Sequence, residues 1–202
     1  MILVGKREQN KNYKNAALLF DTISEYEIDD FDVLCIGGEK EVSQEILRKL
    51  PSNVTVRRIE ADDQELALAY SGAAALVYPS LYEGFGLPVI EAMACECPVI
   101  TTALGSLEEI TPNSGALIID AFSTASLYDA LKQIRDPDVR RRSATIGRNH
   151  ASKFTWGQFA RDIHSCLSSI DRDSNSGAYD TFFAKWSKLR KIQSGVDVNR
   201  LT

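Results

Sequence analysis

The sequence predicts an α/β fold, a doubly wound Rossmann-like parallel sheet with a helical tail. Three observations predict it. Short β-branched runs alternate with segments of helical periodicity along most of the chain. Glycine or proline punctuates the ends of several of these segments. One run, residues 75–78, is apolar throughout, as in a strand buried on both faces. Right-handed crossovers turn such an alternation into a sheet covered by helices on both sides.

In order, residues 2–4 read as a first strand, and residues 15–25 as a helix with apolar residues at 16, 19, 20 and 23. Residues 32–36 read as a second strand, stopped by Gly37 and Gly38, and residues 42–50 as a helix ended by Pro51. Residues 54–59 give a third strand with Arg57 and Arg58 near its end, and residues 64–74 a helix. Residues 75–78 give the fourth strand, 88–95 a helix, 99–102 the fifth strand and 116–119 the sixth. Two or three helices follow between residues 124 and 170.

Residues 171–178 form a polar run and read as a linker. This gives a domain of residues 1–170 and a tail of 171–202. Within the tail, Phe182, Phe183, Trp186 and Leu189 recur at helical spacing among Lys185, Lys188, Arg190 and Lys191. That pattern predicts a helix packing an aromatic face on a neighbouring domain. The alternative is a basic amphipathic helix on an anionic membrane surface.

The chain has 202 residues, 44% of them apolar, and a formal net charge of −5. That excludes wholesale disorder, and it argues against broad recognition of a nucleic-acid backbone. Cys35, Cys95, Cys97 and Cys166 have no metal-finger spacing and read as reduced, mostly buried thiols. A reducing cytoplasm fits. The apolar start, residues 1–4, is too short for a secretory signal, and no run approaches the length of a spanning helix.

Ligands in such folds bind beyond the carboxyl ends of the strands. The first candidate there is the loop from Gly5 to Asn15, with Lys6, Arg7, Lys11 and Lys14 beside a helix start. Glycine admits a ligand close to the backbone, and the cations and the helix dipole add toward a diphosphate. Solvated surface charge is the competing reading, and the glycine spacing excludes a Walker A loop. The second candidate, Ser80-Leu81-Tyr82-Glu83-Gly84-Phe85-Gly86-Leu87-Pro88, follows the fourth strand and opens a helix. Its glycines expose backbone amides, and Pro88 suits the first helical position. Glu83 and Glu91 both border this cleft. Beside phosphates their natural partners are sugar hydroxyls, Glu91 for a ribose and Glu83 for a second sugar; the alternative is that Glu91 complements the helix dipole and Glu83 is a loop surface residue.

The string from Glu83 through Pro88 to Glu91-Ala92-Met93-Ala94 resembles the E-x7-E signature of family-four GT-B glycosyltransferases, a retaining group. The likeness continues through Pro98-Val99-Ile100-Thr101, Ser106-Leu107-Glu108-Glu109-Ile110, residues 73–80 and the Trp156 region. Gly5, Arg7 and Tyr13-Lys14-Asn15 are similar to the family's Gly-x-Arg…Tyr-Lys-Asn element, with a few residues inserted. It covers residues 2 to about 170 and matches the family's C-terminal, donor-binding domain.

The resemblance implies hexose transfer from a nucleotide-diphosphate sugar, GDP-mannose-like or a UDP-sugar, to a glycan or lipid-linked acceptor in polysaccharide biosynthesis. Arg7 and Lys14 would neutralise the diphosphate and Glu83 would contact the transferred sugar. The amides of Phe85, Gly86 and Leu87 would lie beside sugar and phosphates, Gly84 would belong to the same donor-binding loop, Gly5 would approach the diphosphate, Glu91 would bind ribose, and Ile59 would lie near the base. No metal and no cofactor are expected, because the two cations replace the metal. The expected location is the cytoplasm, at the membrane's inner face if the tail helix touches lipid.

The sequence departs from the family at Glu96, where glycine is usual and a left-handed turn is common. It also holds only the donor half, so the N-terminal acceptor domain or a partner subunit is expected to complete the cleft. The alternative is a non-catalytic nucleotide-sugar-binding or interaction module. A nucleotide-sugar epimerase is a weaker reading, because His150 and His164 sit in late helices where packing or surface roles are expected.

Overall fold

The computed structural model describes residues 2–4, 14–37, 43–174 and 180–194. The chain divides into two compact units, Met1–Phe154 and Thr155–Thr202. The sequence boundary at residue 170 therefore differs from the structural one, which precedes the helix at Trp156.

The first unit is built on a six-stranded parallel sheet: β1 (Ile2–Val4), β2 (Val33–Ile36), β3 (Val56–Ile59), β4 (Leu76–Tyr78), β5 (Val99–Thr101) and β6 (Leu117–Ile118). Their spatial order is β3-β2-β1-β4-β5-β6. In register, Leu3 pairs with Cys35, Ile2 with Leu76, and Tyr78 with Thr101. The order reverses between β1 and β4, and a doubly wound sheet opens its ligand crevice at that point.

Side-chain alternation sends β4 and β5 to two cores. Val77 and Ile100 join Leu18, Leu19, Ile23, Leu127 and Leu131 of helices α1 (Ala16–Glu25) and α6 (Thr124–Ile134). Leu76, Tyr78 and Val99 join Tyr70, Val89, Met93 and Leu107 on the opposite face. That face is covered by α3 (Asp63–Gly72), α4 (Leu87–Ala94) and α5 (Ser106–Ile110). The four-residue α2 (Gln44–Leu47) is shorter than the predicted helix; Ser43 caps it, and residue 42 lies outside the described residues.

Local chemistry sets the helix ends. Asp62 and Glu65 form a capping box at α3. Asp136 caps α7 (Pro137–Ala151), where Pro137 takes the first position, needing no N–H. Glu96 adopts φ +58, the left-handed turn expected where glycine is usual, and Arg148 of α7 pairs with its carboxylate.

The second unit contains α8 (Trp156–Ser174) and α9 (Asp180–Ser194). Helix α8 continues through Ser174, so the polar run that read as a linker starts as helix; residues 175–179 lie outside the described residues. Among the described residues no helix is long and apolar enough to cross a membrane.

Candidate functional site

Lys14 and Glu83 come from the two strand-to-helix connections at the switch point, β1 to α1 and β4 to α4. The structure joins them: Lys14 Nζ donates to Glu83 Oε1 at 2.7 Å. The pair is largely shielded, with 21% of the lysine and 10% of the glutamate side chain exposed, so it is screened less than a surface pair. Lys14 Nζ also donates to the phenol oxygen of Tyr78 and lies 4.8 Å from the centroid of that ring. Ser80 Oγ donates to Glu83 Oε1 at 2.5 Å, and Ser106 Oγ donates to the Glu83 carbonyl at 3.0 Å. Glu83 is thus fixed through both carboxylate and backbone.

The next four residues carry the opposite property. Among the described residues, the N–H groups of Gly84, Phe85, Gly86 and Leu87 make no hydrogen bond. They precede or open α4, where the helix dipole adds positive potential. Gly86 sits at φ +98 as the N-cap, a conformation that demands glycine, and a Cβ there would lie 2.7 Å from the end of the Leu107 side chain. Gly84 differs: a Cβ there would meet nothing within 4 Å, and its neighbourhood is open. Leu87 takes the first helical position and Pro88 the second, one residue later than the sequence predicts.

Glu91 lies one turn into α4 and, among the described residues, its carboxylate makes no hydrogen bond or ion pair. Partial burial, with Asp63 as a second cause, raises its carboxyl above the usual range. A carboxylate so placed gains from donors supplied by a ligand. Ile59 ends β3 and is exposed. Beside it, Arg58 Nη1 donates to the Gly37 carbonyl at 2.6 Å. Gly5 and Arg7 lie outside the described residues, as do Lys6, Lys11 and Tyr13.

Two contributors went unread in the sequence. Tyr78 reads as a core strand residue, and it is 1% exposed, yet its hydroxyl reaches Lys14. Ser106 opens a five-residue helix too short to show periodicity. Among the described residues no three His, Cys, Asp or Glu side chains gather as metal ligands. Burial pushes the Cys97 thiol up to about 12, which opposes a reactive thiolate there.

A parallel sheet of this order, covered by helices on both faces, places the first unit in the doubly wound α/β class. The chain matches the family "Glycosyl transferases group 1" over residues 1–150 and belongs to it. It is 36% identical over 98 residues to O-antigen chain mannosyltransferase B of Escherichia coli, spanning 46% of this chain and 25% of that protein. Against a D-inositol 3-phosphate glycosyltransferase of Corynebacterium jeikeium it is 30% identical over 144 residues, spanning 70% and 34%. The fold superposes on sucrose-phosphate synthase of Thermosynechococcus elongatus with TM-score 0.68 and 27% identity, covering 85% of this chain and 46% of that one. The chain thus spans a quarter to a half of the length of these relatives.

Proposed function

We propose that this chain is the donor-binding, C-terminal half of a retaining family-four GT-B glycosyltransferase. It would transfer a hexose from a GDP-mannose-like or UDP-sugar donor to a glycan or lipid-linked acceptor. The observation that carries this is the run of four unpartnered N–H groups, Gly84 to Leu87, directly after the Lys14–Glu83 pair. Protein contacts do not call for glycine at Gly84, and close approach of a diphosphate or sugar does.

In this reading an acceptor hydroxyl oxygen bonds to the sugar's anomeric carbon as the bond from that carbon to the diphosphate oxygen breaks; the electron pair leaves with the diphosphate, which collects negative charge and takes up the hydroxyl proton. Lys14, Arg7 and the loop amides stabilise that charge, so no metal is required. Lys14 exchanges part of its contact with Glu83 for the diphosphate, and the freed Glu83 oxygen accepts a hydroxyl of the transferred sugar. Glu91 accepts ribose hydroxyls, and the base rests near Ile59. The acceptor is held by a further domain outside these residues, on which the exposed aromatic face of α9 packs, with Phe182, Phe183 and Trp186 at its centre.

Calorimetric titration with GDP, UDP, GDP-mannose and UDP-glucose tests the donor site. One nucleotide series should bind, with and without EDTA, and Lys14→Ala should weaken the diphosphate about ten-fold or more, near 1.4 kcal/mol. No binding at millimolar concentration would end the donor-site reading. Binding without transfer by the full-length product would make this a binding module instead. Co-sedimentation of the chain with anionic vesicles would move α9 from a domain contact to a membrane contact.

A further inference from the structure

We propose that His150 is the positioning residue of the donor loop and that Phe154 is its relay. The inference rests on the donor-site reading above, and it concerns how the loop is held.

Two contacts fix the loop, one on its backbone and one on a side chain. The backbone at Gly86 rests on α5: a Cβ there would lie 2.7 Å from Leu107 Cδ2 and 3.0 Å from Ile110 Cδ1. The exposed ring of Phe85 meets Phe154 edge-on, with centroids 6.1 Å apart and planes at 76°. Both contacts lead to His150. Its Nε2 lies 2.8 Å from the carbonyl oxygen of Ile110, the last residue of α5. A carbonyl only accepts, so Nε2 carries the proton and donates. That carbonyl belongs to a helix end, where partners within the helix run out. The same imidazole lies 5.3 Å from the Phe154 ring.

His150 is 9% exposed, and its Nδ1 is buried with no partner. A side chain chosen for packing alone would bring no orphaned ring nitrogen. What the imidazole supplies here is one donor and one ring edge at a fixed separation. The rest of α7 is held by contacts that involve neither α5 nor Phe85. Ser143 Oγ donates to the Gly115 carbonyl at 2.7 Å, and a Cβ at Gly147 would stand 3.1 Å from Met93 of α4. His150 therefore transmits the position of a packed helix to the loop.

The consequence is selective. Loosening His150 or Phe154 should disturb what the loop amides face, the diphosphate and sugar. It should leave the base and ribose, held near Ile59 and Glu91, unchanged. The test is calorimetry with GDP and GMP, or UDP and UMP if that series binds, on the wild type, Phe154→Leu, His150→Ala and His150→Gln. Phe154→Leu and His150→Ala should weaken the diphosphate about ten-fold and the monophosphate far less. His150→Gln keeps an amide donor and should recover most of the loss from the Ile110 contact. Phe154 is partly exposed and its substitution leaves the Ile110 bond intact, so Phe154→Leu carries the test if His150→Ala does not fold. Equal weakening of both nucleotides by folded variants, or none, overturns the proposal. Failure of the wild type to bind either nucleotide would instead overturn the donor-site reading, and this inference with it.

Discussion

The two units use similar amphipathic helices to opposite ends. In Met1–Phe154, Leu107, Leu127 and Leu131 are fully buried against the sheet. In α8, Trp156, Phe159, Ile163 and Leu167 recur at helical spacing and are 47–80% exposed. Periodicity decides that a helix forms and which of its faces is apolar; it does not decide what covers that face. The sheet covers α4 and α6, whereas the apolar stripe of α8 is exposed at these four residues.

The largest test of this contrast uses one chemistry in both units. Leu107→Ala should cost about 3 kcal/mol, through lost burial and the cavity left under Gly86. Leu167→Ala should stay within about 0.5 kcal/mol. Urea unfolding of the two variants reads the difference directly. A cost above about 2 kcal/mol for Leu167→Ala would mean that the α8 stripe is covered in solution, and would break the comparison.

The same logic separates what the sequence made legible from what it did not. β4 was readable because it is buried on both faces and so is apolar along its run, and β5 because a short β-branched run follows Pro98. At Glu96 the resemblance, with glycine usual there, left a left-handed turn or a different one open, and the structure shows the left-handed turn. The end of α8 was misread because Asp171 to Ser174 are polar, and polarity reports exposure, not conformation. Helix α5 was missed because five residues show no period. In the candidate site, motif and placement put Glu83, Gly86 and Lys14 at the carboxyl ends of strands, and the structure joins Lys14 to Glu83. Tyr78 did not, because its ring belongs to the core and only its hydroxyl reaches the crevice. His150 is hidden for a related reason: its partner carbonyl is 40 residues away, on a helix the sequence does not announce.

A second, smaller test contrasts the two glutamates of the motif. Glu83 is held by Lys14 and Ser80, whereas Glu91 has no such partner among the described residues. Burial, then Asp63, raises the folded pKa of Glu91 above its ordinary value. The native chain thus binds that proton more tightly than the unfolded chain. Stability falls as pH rises from the ordinary value through the raised one, and the deficit persists above it. Glu91→Gln removes the deficit. The variant should melt higher than the wild type near neutral pH and match it below about pH 4. It should also lose nucleotide affinity, as expected of a side chain placed for a ligand at the expense of the fold. Identical melting curves across the pH range would show that Glu91 carries no such strain.

The smallest expected effect lies on the surface of the first unit. Arg135, at the end of α6, donates from Nε and Nη2 to both oxygens of Asp30, at 2.7 and 2.8 Å. The guanidinium holds the Asp30 carboxyl below its usual range. The contribution is therefore present above the ordinary aspartate value and is lost as pH falls through the lowered one. Both side chains are more than a third exposed, so solvent screens the pair, and Asp30→Asn should cost only about 0.5 kcal/mol at neutral pH. Raising the salt should shrink even that difference. The pair ties the segment after α1 to the end of α6, two helices already joined through Leu19, Ile23, Leu131 and Ile134. A salt-insensitive loss approaching that of Leu107→Ala would mean that this junction, and not the apolar core beneath it, sets the stability of the sheet's first face.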